Sequence, residues 1–154
     1  MACVLWYNNV RLCFHGSVSK RLRKLLLPRK TQIIPFELLA AIISLMQRCS
    51  LGFERVGVRH FVDSKPAQGC VVKGCSSQSD LNNLVAMLWF TAGHALRDYW
   101  CEYVPSKFNL ADAPSRQSLD TMKQLGSHLI ELQFDECAAA AEFWLQAVEV
   151  AKLV

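Results

Sequence analysis

The chain has 154 residues, is 52% apolar and carries a formal net charge of +4, enough for one substantial core and no argument for two. Its longest apolar stretch, 33 to 46, is broken by Pro35, Glu37 and Ser44 and falls short of the about 20 residues that cross a bilayer. The start shows neither a positive region nor a recognisable cleavage site. No membrane association or secretion is therefore expected, and the location implied is intracellular, cytoplasm or nucleus.

The charge is unevenly spread. Residues 1 to 36 hold seven Lys or Arg and no acid, whereas the remainder holds ten against thirteen, giving +7 and −3. Most of the positive charge lies between Lys20 and Lys30, a cluster suited to a polyanion. Val18, Leu22, Leu25 and Leu26 recur there at helical spacing and Ser17 or Ser19 can cap the start, so a solvated helix face explains the cluster equally well. The seven cysteines are odd in number and mostly embedded in apolar runs, which fits reduced packing thiols better than disulfides or zinc ligands.

In chain order, residues 2 to 7 and 10 to 15 are short β-prone runs around Asn8-Asn9, a pair that accepts positive φ and predicts an antiparallel hairpin. Pro35 is placed for a first helical turn. The helix it opens carries a broad apolar stripe from Leu38 to Met46, with Glu37, Ala41, Ser44 and Arg48 on a smaller face. A carboxylate in a first turn is also favoured by the helix dipole, which is a purely structural account of Glu37. The run from Val56 to Val62 reads as a strand that stops at Asp63-Ser64, where either residue can cap a helix beginning near Lys65-Pro66. Residues 79 to 96 form the clearest helix, with Leu81, Leu84, Val85, Leu88 and Trp89 on one face and His94 off it.

Tyr99 to Val104 reads as a further strand ended by Pro105, with Tyr99 and Tyr103 on one face and Trp100 on the other. Asn109 can cap a short helix with Asp112 at its third position, a capping-box-like arrangement that accounts for both residues without metal. Residues 135 to 153 read as a separate helix that either covers the core or binds a partner. Three acids, Glu37, Asp63 and Asp112, thus fall at element ends, and together they suggest a divalent-metal site.

The run Val104-Pro105-Ser106-Lys107-Phe108-Asn109-Leu110-Ala111-Asp112-Ala113-Pro114-Ser115-Arg116 resembles the ribonuclease H-like domains of reverse-transcriptase-bearing retroelements, in the branch with a V-P-S-x-x-N-x-A-D-x-P-S-R signature. Weaker collinear similarity runs through Arg29 to Ile33, Glu37 to Ala40, Phe61 to Ser64, Lys73-Gly74 and Asp80-Leu81. The resemblance covers roughly residues 2 to 117. The long signature is specific, whereas E-L-L-A and F-V-D-S alone are common.

The resemblance implies an α/β fold, a ribonuclease H-like mixed sheet flanked by helices. Its first, central strand is missing, and a C-terminal helix is added. The domain would span 1–126 and the helical extension 127–154. It also implies a nuclease of RNA–DNA hybrids with Mg²⁺ or Mn²⁺ as cofactor and the reverse transcriptase domain of a parent element as protein partner. Glu37, Asp63 and Asp112 would be the catalytic metal ligands. Lys20, Arg21, Arg23, Lys24, Arg29, Lys30, Lys107, Asn109 and Arg116 would contact nucleic acid. The family uses four acids, the first on its opening strand, and no Asp or Glu precedes Glu37 here. Impaired activity and a sheet left without a shared central strand follow. A non-catalytic nucleic-acid-binding or protein-interaction relic is the alternative.

Overall fold

The computed structural model of the chain describes residues 1–52 and 55–132, so the helix expected over 135–153 lies outside the described residues. Strands β1 (Ala2–Tyr7) and β2 (Val10–His15) pair antiparallel from Ala2 with His15 to Tyr7 with Val10. Asn8 turns the chain between them at a φ of 51°, a conformation Asn tolerates better than most residues. The helix α1 (Lys20–Lys24) is capped by Ser19, whose Oγ accepts from the Leu22 N–H at 3.1 Å. It sinks Leu22 into the core while Lys20, Arg21, Arg23 and Lys24 stay at the surface.

The long helix α2 (Ile33–Ser50) is apolar enough by length and composition to cross a membrane. That composition is used in the core. Leu38, Leu39, Ala41, Ile42 and Leu45 are buried in the main hydrophobic cluster, and the helix packs on α4 and β1. After it come β3 (Val56–Val62), α3 (Lys65–Lys73), α4 (Ser79–Ala95) and β4 (Leu96–Tyr103), with β3 and β4 paired in parallel. A short 3-10 turn at Ser106–Phe108 leads to α5 (Asp112–Ser115) and α6 (Asp120–Gln124).

The chain is thus α/β, with a mixed sheet and helices. Two elements lie beyond what the sequence predicts: α6, and residues 128–131, expected to belong to a helical extension, which form β5 (His128–Glu131) and join β2 in parallel. The three-stranded sheet is ordered β1-β2-β5 and the two-stranded sheet β3-β4. Among the described residues no ladder joins the two. β1 is the end strand of one sheet and β3 of the other, and both border a single cleft of about 660 Å³.

A buried ion pair anchors the basic segment to α4. Asp80 is 5% exposed; it accepts from both terminal nitrogens of Arg29 and from the Leu27 N–H at 3.0 Å. These partners hold its carboxyl below the usual range against the opposing effect of burial, which alone would raise it. Of the cysteines described, Cys13 is buried and Cys75 exposed, and the remaining four lie between. Fewer of them are core residues than their apolar neighbours in sequence suggest.

Candidate active-site cleft

Each of the three acids reaches the cleft from a different element. α2 begins at Ile33, two residues before Pro35, so Glu37 lies beyond the first turn, which holds no acid. The dipole is spent within that turn, and the purely structural account of Glu37 loses its basis. At the end of β3 the helix cap is Ser64, whose Oγ accepts from the Ala67 N–H at 3.3 Å. Asp63 is therefore spared the capping role and borders the cleft.

Asp112 departs from its expected position. It is the first residue of α5, and Asn109 does not cap that helix: its Oδ1 accepts from the Ala111 N–H at 3.0 Å in a tight Asx turn. Asp112 in turn accepts from Arg116 Nε at 3.2 Å and Nη2 at 3.0 Å, an i,i+4 pair on the helix surface.

Glu37, Asp63 and Asp112 all line the cleft. Burial, followed by the charge of Asp63, a hydrogen bond with the Asp63 carboxyl and the charge of Asp112, pushes Glu37 up to about 7. Glu37 therefore keeps its proton up to near neutral pH. With Glu37 protonated and Asp112 held by Arg116, no three His, Cys, Asp or Glu side chains among the described residues are spaced to hold a metal ion. The three acids line one cleft, yet as arranged they do not fit a three-carboxylate Mg²⁺ or Mn²⁺ site.

The rest of the cleft wall comes from Phe36, Ala40, Ser44 and Arg48 of α2, from the length of β1 and from Val56 to Phe61 of β3. Ala40, rather than Ala41, faces it, because Ala41 is in the core. His60 also borders the cleft, and sequence reasoning passed it over. Its place opposite Arg59 and Phe61 in the alternation of β3 was the available signal. Burial of its ring pushes His60 down to about 4, and the same cause raises the Tyr99 hydroxyl well above its usual value. The phenol therefore stays protonated and hydrogen-bonds neutral His60 Nδ1 at 2.9 Å, with the imidazole tautomer setting which of the two donates. Tyr99 is further held edge-on by Trp89, with ring centroids 5.5 Å apart.

The basic residues divide into two groups. Arg29 is turned inward by Asp80, with only 12% of its side chain exposed, so its charge is paired within the fold. Lys20, Arg21, Lys24 and Lys30 are exposed. Arg23 donates from Nε to the Val18 carbonyl at 3.2 Å and lies 5.2 Å from the Phe36 ring centroid. It borders a second cavity of about 520 Å³ whose walls share Met1, Phe36 and Ser115 with the cleft, which links the basic end of the chain to the acid wall. Lys107 sits 4.8 Å from the ring of Phe108, which lines the cleft. No protein-family model matches the chain, and no curated protein or solved structure is significantly similar to it.

Proposed function

We propose that the chain is a ribonuclease H-like, retroelement-derived domain that binds nucleic acid inside the cell and has little or no hydrolytic activity of its own. The observation that carries this reading is that Glu37, Asp63 and Asp112 all line one cleft. They are the acids of the ribonuclease H-like resemblance, are far apart in sequence, and none is used there to cap a helix. In an intact relative such acids would hold Mg²⁺ or Mn²⁺ for hydrolysis of the RNA strand of an RNA–DNA hybrid. Here the proton on Glu37 and the Arg116 pairing of Asp112 supply neutralisation from within the chain. The exposed bases of α1, with Arg23 beside the second cavity, supply the surface for phosphates.

The test is binding of a labelled RNA–DNA hybrid over a series of salt concentrations, run in parallel with cleavage of the same hybrid. Salt-sensitive binding without cleavage supports the reading. Absence of hybrid binding at low salt overturns it, and metal-dependent cleavage removed by Asp63→Asn restores the catalytic alternative.

A further inference from the structure

The second cavity, beside the cleft, holds chemistry that nucleic-acid binding does not use. Its volume of about 520 Å³ falls in the range of small-molecule pockets, about 300 to 1,000 Å³. Part of its wall is apolar, with Val18 and Pro114 buried and Phe36 and Leu119 half-buried. Two side chains of opposite charge line the same space, Arg23 from α1 and Glu131 from the end of β5. Neither takes part in an ion pair among the described residues, so both charges are available to a ligand.

Arg23 is fixed before any ligand arrives. Its Nε donates to the Val18 carbonyl at 3.2 Å, and its guanidinium stands 5.2 Å from the Phe36 ring centroid. These two constraints leave the edge with the terminal nitrogens as a planar fork suited to a carboxylate. Glu131 is placed by the pairing of β5 with β2, opposite His15, which lines the cavity too. Gln117 adds an amide. At the end of α5 the Gln117 N–H donates to the Pro114 carbonyl and the Ser118 N–H to the Ala113 carbonyl, both at 3.0 Å, which sets Gln117 at a φ of 67°, a position where glycine is usual. A polar side chain thus lines the cavity where a bare turn would be the less strained choice. One cation and one anion on an apolar wall disfavour a polyanion and match a zwitterion. We propose that this cavity binds an apolar α-amino acid, with its carboxylate on Arg23, its ammonium on Glu131 and its side chain against Phe36. The proposal does not rest on the nuclease-like reading and is tested without nucleic acid.

The probe is L-phenylalanine, titrated into the full chain and followed by amide chemical shifts. It binds saturably, with a Kd of about 1 mM or tighter, and the shifts that move belong to residues around Arg23, Gln117 and Glu131. Phenylacetate lacks the ammonium and phenethylamine lacks the carboxylate. Each binds about tenfold or more weakly than phenylalanine, the loss of one charge-assisted contact. The variants cross with the ligands: Arg23→Gln weakens phenylalanine and phenylacetate and spares phenethylamine, whereas Glu131→Gln weakens phenylalanine and phenethylamine and spares phenylacetate. Both residues are exposed, so the fold is expected to persist, and circular dichroism checks it; the three ligands on the native chain decide the matter even if a variant fails to fold. The proposal is overturned if phenylalanine does not saturate, if either of the other two ligands binds as well as it does, or if both variants bind phenylalanine like the native chain.

Discussion

Glu37, a turn inside α2, and Asp63, the residue after β3, line the same cleft, and burial together with that acidic neighbour lifts the Glu37 carboxyl to about 7. The linkage follows from the sign of the shift. A group whose folded value lies above its unfolded value of 4.5 holds its proton more tightly when folded. Its favourable contribution is complete below 4.5 and is lost as pH rises through 7. Glu37→Gln should thus be more stable than the native chain above pH 7, by up to about 3 kcal/mol at some 1.4 kcal/mol per unit. The gap should close towards pH 4.5. Urea unfolding of both proteins across that range checks it. Taking the difference cancels His60, whose lowered value acts in the opposite sense, and a gap that does not vary with pH would contradict the proton on Glu37.

The buried pair of Arg29 and Asp80 carries a second expectation. Removing one partner of a buried ion pair leaves an uncompensated charge and costs about 3 to 5 kcal/mol, so Arg29→Ala should lower the melting temperature steeply. Arg29→Lys should rescue it poorly, since a single ammonium cannot reproduce the two-pronged contact with both Asp80 oxygens. Because Asp80 is held below its usual value, its contribution persists above that value and fades only as pH falls beneath it. Thermal melts of both variants near neutral pH test the pair, and an Arg29→Ala protein as stable as the native chain would contradict it.

How far these relationships could be read from the sequence depended on how local they are. The hairpin boundaries were legible because Asn8-Asn9 separates two β-prone runs, and the strand to Asp63 because its alternation is regular. The start of α2 was placed too late, as Pro35 tolerates the first turn without having to begin it. Asn109 has two ways to bond its own backbone, and the Asx turn prevailed over the cap. β5 has only four residues and no alternation, so only its pairing with β2 reveals it. The Arg29–Asp80 pair joins residues 51 apart, and nothing in either segment marks it. The acid wall lay in between: three element ends were visible, but the proton that one of them holds was not.

The surface bases lead to a third prediction. Lys20, Arg21, Arg23 and Lys24 sit on or beside the exposed face of α1, and side chains that contact phosphates release counterions on binding. Changing all four to Ala should weaken hybrid binding and reduce the slope of log affinity against log salt by roughly 3, near the approximate 0.9 per phosphate contact in duplex DNA. Anisotropy titrations at several salt concentrations measure the slope. The change spares Leu22, which anchors α1 in the core, so the fold should persist. An unaltered slope would assign the four residues to a solvated helix face.

The last prediction concerns hydrolysis. The 154-residue chain should show little or no cleavage of an RNA–DNA hybrid in Mg²⁺ or Mn²⁺, whereas fusing to Met1 a strand that carries an Asp and folds back between β1 and β3 should confer activity. Geometry and charge both argue for this. As the chain stands, Glu37 holds a proton, Asp112 is paired with Arg116, and no three such side chains among the described residues are placed for a metal. An inserted strand would fix the distance between the walls that hold Glu37 and Asp63, and a further carboxylate there would add a ligand; misplacement of such groups by about 1 Å can cost a hundredfold in rate. The assay compares the native chain, the fusion, and the fusion carrying Asp63→Asn. Activity is expected in the fusion alone. Strong cleavage by the native chain, lost on Asp63→Asn, would show that the three acids suffice and that the cleft needs no added strand to work.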